Sequence, residues 1–255
     1  MLELLAQIEW YWIAILAIGF GTGVLSGMGS SGSLLEMPLL IVMGVPPTVV
    51  IGSGKISALV ALPVAVVKFH LANRVRWDIV PILAVLAIIG GIVGANITVS
   101  IDTDALVPVL GAVLLIVVPV VLYSRHWVKR FANPKRHHVI AGYFGYALVM
   151  IYGGFFGVGQ GPFVFLALSV LGLSPLHIQG TARAPQTILA VASGAVFLYH
   201  GYVDWWLVLA LVASKPFGVW VGAHIALKKG NDFVRIMVAS VALLSGIKLL
   251  FFSNS

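Results

Sequence analysis

The chain has 255 residues, of which 60% are hydrophobic and 9% are charged, with a mean hydropathy of +1.08 and a net charge of +7. Because water-soluble domains carry about 25% charged residues, this composition excludes an ordinary soluble enzyme or binding domain. The absence of cysteine excludes disulfides, thiolate metal sites and cysteine nucleophiles. Apolar stretches about 20 residues long, with the charges confined to the gaps, are typical of membrane-spanning helices.

Ten apolar segments follow one another along the chain. The first five cover about 10–27, 33–44, 47–69, 78–98 and 105–123, and the second five cover about 138–156, 161–172, 176–199, 205–227 and 231–252. The second segment of each set has about 12 residues, or roughly 18 Å of helix, which is too short to cross a hydrocarbon core of about 30 Å without tilt or thinning. A glycine-rich break joins it to the segment before. Each such pair is predicted to be either a re-entrant hairpin or two interrupted spans.

The two sets of segments are copies of one repeat. A shift of 128 positions aligns 29–97 with 157–225 without gaps, and the matches include glycine, proline and tryptophan, not only the common apolar residues. We therefore predict an all-α, polytopic transmembrane bundle of two repeats with about five segments each. The first repeat covers 1–124, a basic linker covers 125–137, and the second repeat covers 138–255.

Lysine and arginine predict the orientation of the repeats, because they are enriched in cytoplasmic loops. We expect the linker to be cytoplasmic, since its basic residues are Arg125, Lys129, Arg130, Lys135 and Arg136. If the first pair of segments returns to its starting face, Lys228 and Lys229 also lie inside and the repeats are inverted relative to each other; otherwise these lysines lie outside. The first arrangement keeps nearly all loop cations cytoplasmic. Inverted repeats with broken helices are a recurring architecture of secondary transporters, with the site near the midplane at the repeat interface.

Lys55 and Arg183 occupy the same position in the two repeats, about two turns into a membrane segment. An ionised side chain at the bilayer centre costs at least about 2.5–3.5 kcal/mol, so a cation in both repeats indicates that something anionic meets them. The alternative is that each cation reaches the membrane surface or pairs with a buried acid. Glu36 is the one plausible buried acid and cannot neutralise both cations. Lys215 is a third candidate cation, so we expect an electropositive cavity.

Further candidate ligands surround the two cations. The hydroxyls of Ser53 and Thr181 lie two residues before them, and the glycine-rich breaks supply backbone N–H groups suited to an oxyanion. The candidates in the breaks are Ser30, Ser31 and Gly32 in the first repeat and Gly159, Gln160 and Gly161 in the second. The alternative interpretation is that these glycines only permit close helix packing.

Three more polar residues are candidates for tuning the site or coupling transport to an ion. Glu36 corresponds to Val164 and is therefore not part of the repeat. Four roles are open to it: it tunes the site, pairs with Lys55, carries a coupling proton, or forms a structural ion pair. Asn96 and His224 correspond to each other, and either a polar helix contact or a role in substrate or proton binding is open to them. No metal-ligand cluster or nucleophile–base pair is evident, so we expect no cofactor and no enzyme activity.

The motifs Gly44-Val45-Pro46-Pro47 and Gly52-Ser53-Gly54-Lys55, with their counterparts Gly172-Leu173-Ser174-Pro175 and Gly180-Thr181-Ala182-Arg183, resemble the TauE/SafE family of sulfite exporter-like permeases. The resemblance spans essentially the whole chain. It implies transport of sulfite, organosulfonates or other small sulfur-containing anions in a prokaryotic inner membrane. Two departures lie at the expected site: Ser30-Ser31-Gly32-Ser33 replaces a plainer glycine run, and Glu36 occupies a normally apolar place.

These observations predict a secondary carrier that binds a small sulfur oxyanion between the repeats and moves it by alternating access. An anion channel is the alternative, because the same cations are suited to line a pore. We expect the partners to be the anion and the lipid bilayer, without nucleic acid. The exact anion, the direction of transport, the coupling ion and a homo-oligomeric assembly are left open by the sequence.

Overall fold

The computed structural model describes residues 2–29, 32–101 and 135–252, and within these ranges all regular structure is helical. The helices in chain order are α1 (Leu2–Gly27), α2 (Ser33–Val42), α3 (Pro47–Leu71), α4 (Val80–Val99), α5 (Arg136–Phe155), α6 (Gln160–Val170), α7 (Pro175–Tyr199) and α8 (Trp205–Phe252). The all-α prediction is confirmed for these ranges. The predicted segment 105–123 and nearly all of the basic linker lie outside the described residues.

Five of the helices in the described ranges are long and apolar enough to cross a membrane, namely Trp10–Gly27, Pro47–Leu71, Val80–Val99, Arg136–Phe155 and Trp205–Gly230. Helices α6 and α7 meet the same requirement as a pair, bent by 114° at their junction. With 10 residues, α2 is too short to span. The long α8 is broken at Gly230, which has φ 82° and ψ −169°, so the predicted segments 205–227 and 231–252 are two helices joined at a kink.

The outward faces of the spanning helices are apolar. On α4, the side chains of Ile82, Val85, Ile89 and Ile92 are each about half exposed. A water-soluble protein rarely exposes so many large apolar side chains side by side. This surface is therefore suited to contact with lipid.

The helices of the two repeats are interleaved. The first helix of each repeat packs along the fourth helix of the other, α1 on α8 and α5 on α4. Glycines make these contacts close: a Cβ added to Gly27 would come within 3.0 Å of Gly222, and one added to Gly94 within 2.8 Å of Gly154. Close approach through small residues is a common way for membrane helices to pack. The expected packing role of glycine is thus present at these helix contacts.

Helices α3 and α7, the third helices of the two repeats, lie against each other at the centre of the bundle. Near the start of α3, Gly52 packs against Phe197 at the end of α7, and near the start of α7, Gly180 packs against Phe69 at the end of α3. Both phenylalanines are fully buried. The start of each helix thus meets the end of the other, so the two helices run in opposite directions.

The backbone repeats with the same spacing as the sequence. Gly44 and Gly172, which precede α3 and α7, have φ of +89° and +78°. Asn73 and Gly201, which follow the same two helices, have φ of +55° and +75°. Asparagine is among the few residues other than glycine that tolerate the left-handed region. The matched turns bring α3 and α7 into equivalent positions.

Candidate functional site

A cavity of about 140 Å³ lies between helices of both repeats, lined from α2, α3, α6 and α7 with α8 at one side. Since an engineered protein cavity of about 150 Å³ binds a molecule as small as benzene, this volume suits a small molecule. Four charged side chains line it: Glu36, Lys55, Arg183 and Lys215.

Equivalent positions of the two repeats face this cavity. Lys55 and Arg183 both line it, as do further pairs at the 128-residue spacing, which include Gly29 with Gly157, Val50 with Ile178, Gly54 with Ala182 and Ala61 with Leu189. The proline starts of α3 and α7 set this register, because each cation follows its proline by eight residues. The structure thus brings the two matched cations to one site.

Each matched cation reaches across to the other repeat. The ammonium of Lys55 donates a hydrogen bond to the carbonyl of Gly153, near the end of α5. The guanidinium of Arg183 donates through Nη2 to the carbonyl of Ser26, near the end of α1, at 2.6 Å. The last carbonyls of a helix lack partners within the helix and form the negative end of its dipole. These helix ends therefore stabilise two cations that pair with no carboxylate in the described part of the chain.

Two of the three guanidinium nitrogens of Arg183 donate hydrogen bonds to described residues, and the third does not. Nη1 donates to Oε1 of Gln186 at 3.3 Å, and Nη2 donates to Oε1 of Gln179 at 3.0 Å. Nε is buried and has no hydrogen-bond partner, and the same is true of Oε1 of Gln160 nearby in the lining. Buried polar groups without partners are uncommon and unfavourable. Arg183 Nε is therefore a buried donor, in a residue of the cavity lining, that no described residue satisfies.

The two glutamines beside Arg183 were not among the sequence candidates. Gln179 and Gln186 both line the cavity. The signal that could have identified them is their spacing, four residues before and three after Arg183, which places all three side chains on one face of a helix. Amide side chains on the face that carries a buried cation are natural acceptors for its N–H groups.

Glu36 forms its ion pair with Lys215, not with Lys55. The ammonium of Lys215 lies 2.8 Å from Oε1 and 2.7 Å from Oε2 of Glu36. Thr22 donates to Oε2 at 3.1 Å, and Ser57 accepts a hydrogen bond of 3.4 Å from Lys215. With one carboxylate against three cationic side chains, the cavity keeps an excess of positive charge, as the sequence predicts.

Ser53 and Thr181 are fully buried and do not line the cavity. The backbone N–H of Asp204 donates to Oγ of Ser53 at 2.9 Å, and the backbone N–H of Arg76 donates to Oγ1 of Thr181 at 3.0 Å. Each hydroxyl therefore ties one repeat to the loop that follows the third helix of the other. The structure does not bring these two hydroxyls to Lys55 and Arg183.

The predicted ligands in the glycine-rich breaks are placed differently from one another. Gly32, Gln160 and Gly161 line the cavity. Gly159 caps the start of α6 with φ of 69° and is not part of the lining. Ser30 and Ser31 lie outside the described residues.

Asn96 and His224 lie on the outer surface of the bundle and not in the cavity. The side-chain amide of Asn96 donates to the carbonyl of Ile92 in its own helix at 2.8 Å. The ring of His224 stacks on Trp220, with centroids 6.0 Å apart and an interplanar angle of 8°. Both side chains are exposed at positions that face away from Lys55 and Arg183.

The cavity offers positive charge and N–H donors. Among the residues that the structure describes, no three His, Asp or Glu side chains come together in a group suited to a metal ion. The arrangement is thus suited to binding a small anion.

Comparisons with known proteins identify the family of the chain. The model of the family described as "Sulfite exporter TauE/SafE" matches residues 15–249. A "Probable membrane transporter protein" of Haemophilus influenzae is 23% identical over 94% of this chain and 94% of its own length. YjnA of Bacillus subtilis is 26% identical over 93% of this chain and 99% of its own, and YfcA of Escherichia coli K12 is 23% identical over 96% and 89%; both carry the same description. No solved structure matches.

Proposed function

Because the chain belongs to the sulfite exporter TauE/SafE family and is a membrane transporter, we propose that it is a secondary carrier of a small anion. The anion is sulfite, an organosulfonate or a related sulfur oxyanion. This class follows from the description of the family and from the charge of the cavity between the repeats.

The observation that carries this proposal is the pair of matched cations at one small cavity. Lys55 and Arg183 come from equivalent positions, are held by main-chain carbonyls and have no carboxylate partner among the residues that the structure describes. Arg183 also keeps a buried N–H without an acceptor. An oxyanion in the cavity supplies both the missing negative charge and the missing acceptor, and charge-assisted hydrogen bonds of this kind are strong.

We propose that the two repeats are inverted and that one moves against the other to expose the cavity to each face in turn. The opposite directions of α3 and α7 and the matched glycine packing at their ends support this arrangement. Transporters built from inverted repeats commonly work in this way. In this mechanism, the contacts from Lys55 to Gly153 and from Arg183 to Ser26 change as the repeats move.

We place the protein in the cytoplasmic membrane of a prokaryote, with the basic linker 125–137 on the cytoplasmic side. The excess of lysine and arginine in that linker and at Arg74 and Arg76 supports this orientation. The bacterial origin of the relatives supports the choice of membrane.

Flux measurements on the purified protein in liposomes test the proposal. We expect uptake of radiolabelled sulfite or of a small sulfonate to saturate and to be accelerated by the same anion on the opposite side. An ohmic single-channel current would instead indicate a channel. Absence of both flux and binding for sulfite, thiosulfate and sulfonates would contradict the assigned substrate class.

A further inference from the structure

The ion pair between Glu36 and Lys215 breaks the symmetry of the cavity. At the 128-residue spacing, Glu36 corresponds to Val164 and Lys215 to Ala87. The equivalent place, formed by Val164 of the second repeat and Ala87 of the first, thus carries apolar side chains, and the fold does not need charges there. A buried ion pair is weak evidence for a stabilising role, since well-packed apolar residues are often as stable.

The pair is buried yet faces the cavity. The side chains of Glu36 and Lys215 are 5% and 11% exposed, and both line the site. The ammonium lies at hydrogen-bond distance from both carboxylate oxygens, so in this state Lys215 is directed to Glu36 and not to the cavity. The carboxylate of Glu36 thus pairs with one of the three cations of the lining, and that cation is not directed to an anion in this state.

The surroundings of Glu36 are cationic or neutral on every packed element. Helix α1 contributes the hydroxyl of Thr22, and α8 contributes Lys215. From α3, Lys55 lines the same cavity and is within electrostatic reach of Lys215. From α7, Arg183 lines the same cavity. Within the described ranges, Glu36 is the one acidic side chain of the lining.

We propose that Glu36 is the proton-binding group of a proton-coupled anion carrier, and that Lys215 becomes a third anion ligand when Glu36 is protonated. This inference rests on the proposed function, because it needs an anion in the cavity.

The coupling follows from charge balance. One proton from water adds to the carboxylate of Glu36, while Lys215 keeps its own proton and its positive charge. The lining then carries three cations without a carboxylate, and a buried ammonium that has lost its partner is unfavourable until an anion replaces it. Proton and anion each favour the binding of the other, by the same factor in both directions. The two are therefore carried together in one direction.

The experiment measures protons moved per sulfite transported, in liposomes that contain a pH-sensitive dye. The parent protein is compared with Glu36→Gln, which mimics the protonated acid. Sulfite itself can carry a proton, and comparing the parent with the variant at the same pH removes that contribution. We expect the parent to move about one proton more per sulfite than the variant. We also expect the apparent affinity of the parent for sulfite to fall, as the pH rises, by up to tenfold per pH unit relative to the variant.

A double variant, Glu36→Val with Lys215→Ala, copies the residues at the two equivalent positions, Val164 and Ala87, and guards against a folding defect of the single change. We expect it to bind sulfite more weakly than the parent, because the ligand Lys215 is lost, and to move no extra proton with the sulfite that it transports through Lys55 and Arg183. Equal proton counts in the parent and in both variants would overturn the coupling while leaving the carrier intact. A parent that moves no sulfur oxyanion at all would overturn the proposed function, and the coupling with it.

Discussion

The ammonium of Lys55 donates a hydrogen bond to the carbonyl of Gly153, across the boundary between the two repeats. Arg183, at the equivalent position of the second repeat, reaches back to the carbonyl of Ser26. Each cation thus contacts the end of the first helix of the opposite repeat. A molecule that draws either cation into the cavity therefore also changes the contact between the repeats.

Replacing either matched cation is expected to abolish most anion binding. Lys55→Ala and Arg183→Ala should each raise the Kd for sulfite at least about tenfold, because a hydrogen bond to a charged group contributes about 1.5–3 kcal/mol. Isothermal calorimetry on the purified protein measures this. Lys68→Ala is the control, since Lys68 lies on the same helix but contacts the ring of Trp220 outside the cavity. An unchanged Kd in both cavity variants would remove these residues from the site.

Replacing the buried hydroxyls at the loop contacts is expected to reduce stability and not affinity. Ser53→Ala leaves the backbone N–H of Asp204 without its acceptor, and Thr181→Val does the same to the N–H of Arg76. Because Asp204 and Arg76 are exposed residues, the loss of each hydrogen bond costs about 0.5–1.5 kcal/mol. We expect earlier thermal unfolding in detergent with the Kd for sulfite within about twofold of the parent. A large loss of affinity at unchanged stability would instead support direct ligation by these hydroxyls.

A methyl group at the contact between α1 and α8 is expected to destabilise the bundle. The Cβ of Gly27→Ala would overlap backbone atoms of α8 around Gly222, and such overpacking typically costs about 1–3 kcal/mol. Gly21→Ala is the matched control on the same helix, because no atom lies within 4 Å of its added Cβ. Thermal unfolding of both variants in one detergent measures the difference. Equal stability of the two variants would show that α1 and α8 do not pack this closely at Gly27.

Removing the polar groups on the outer surface is expected to leave transport unchanged. Asn96→Leu and His224→Leu alter side chains that lie outside the cavity. Sulfite flux in liposomes should stay within about twofold of the parent, and the unfolding temperature should not fall. A selective loss of flux in either variant would point to a role during movement of the repeats.

Local pattern in the sequence was sufficient to predict the helices and the matched cations. The 128-residue register identifies Lys55 and Arg183 as equivalent, and the prolines Pro47 and Pro175 begin helices where expected. The same register also puts Asn73 and Gly201 in matching left-handed turns. These features depend on the spacing of residues along one helix or turn.

Contacts between distant residues could not be predicted in this way. Ser53 meets the backbone of Asp204, 151 positions away, and Glu36 meets Lys215, 179 positions away. A hydroxyl two residues from a cation on a helix points to a different side, since successive residues turn by about 100°. Ser53 is therefore close to Lys55 along the chain, but in the fold its hydroxyl contacts the loop at Asp204.

Fusion of the two repeats into one chain has a consequence for the charge of the cavity. In a symmetric pair of separate subunits, every acid and every cation of the lining would be present twice. Here Glu36 has Val164 as its counterpart, so the lining carries an odd number of carboxylates. A site with one carboxylate can arise in a chain whose two halves have diverged, but not between two identical halves of a homodimer.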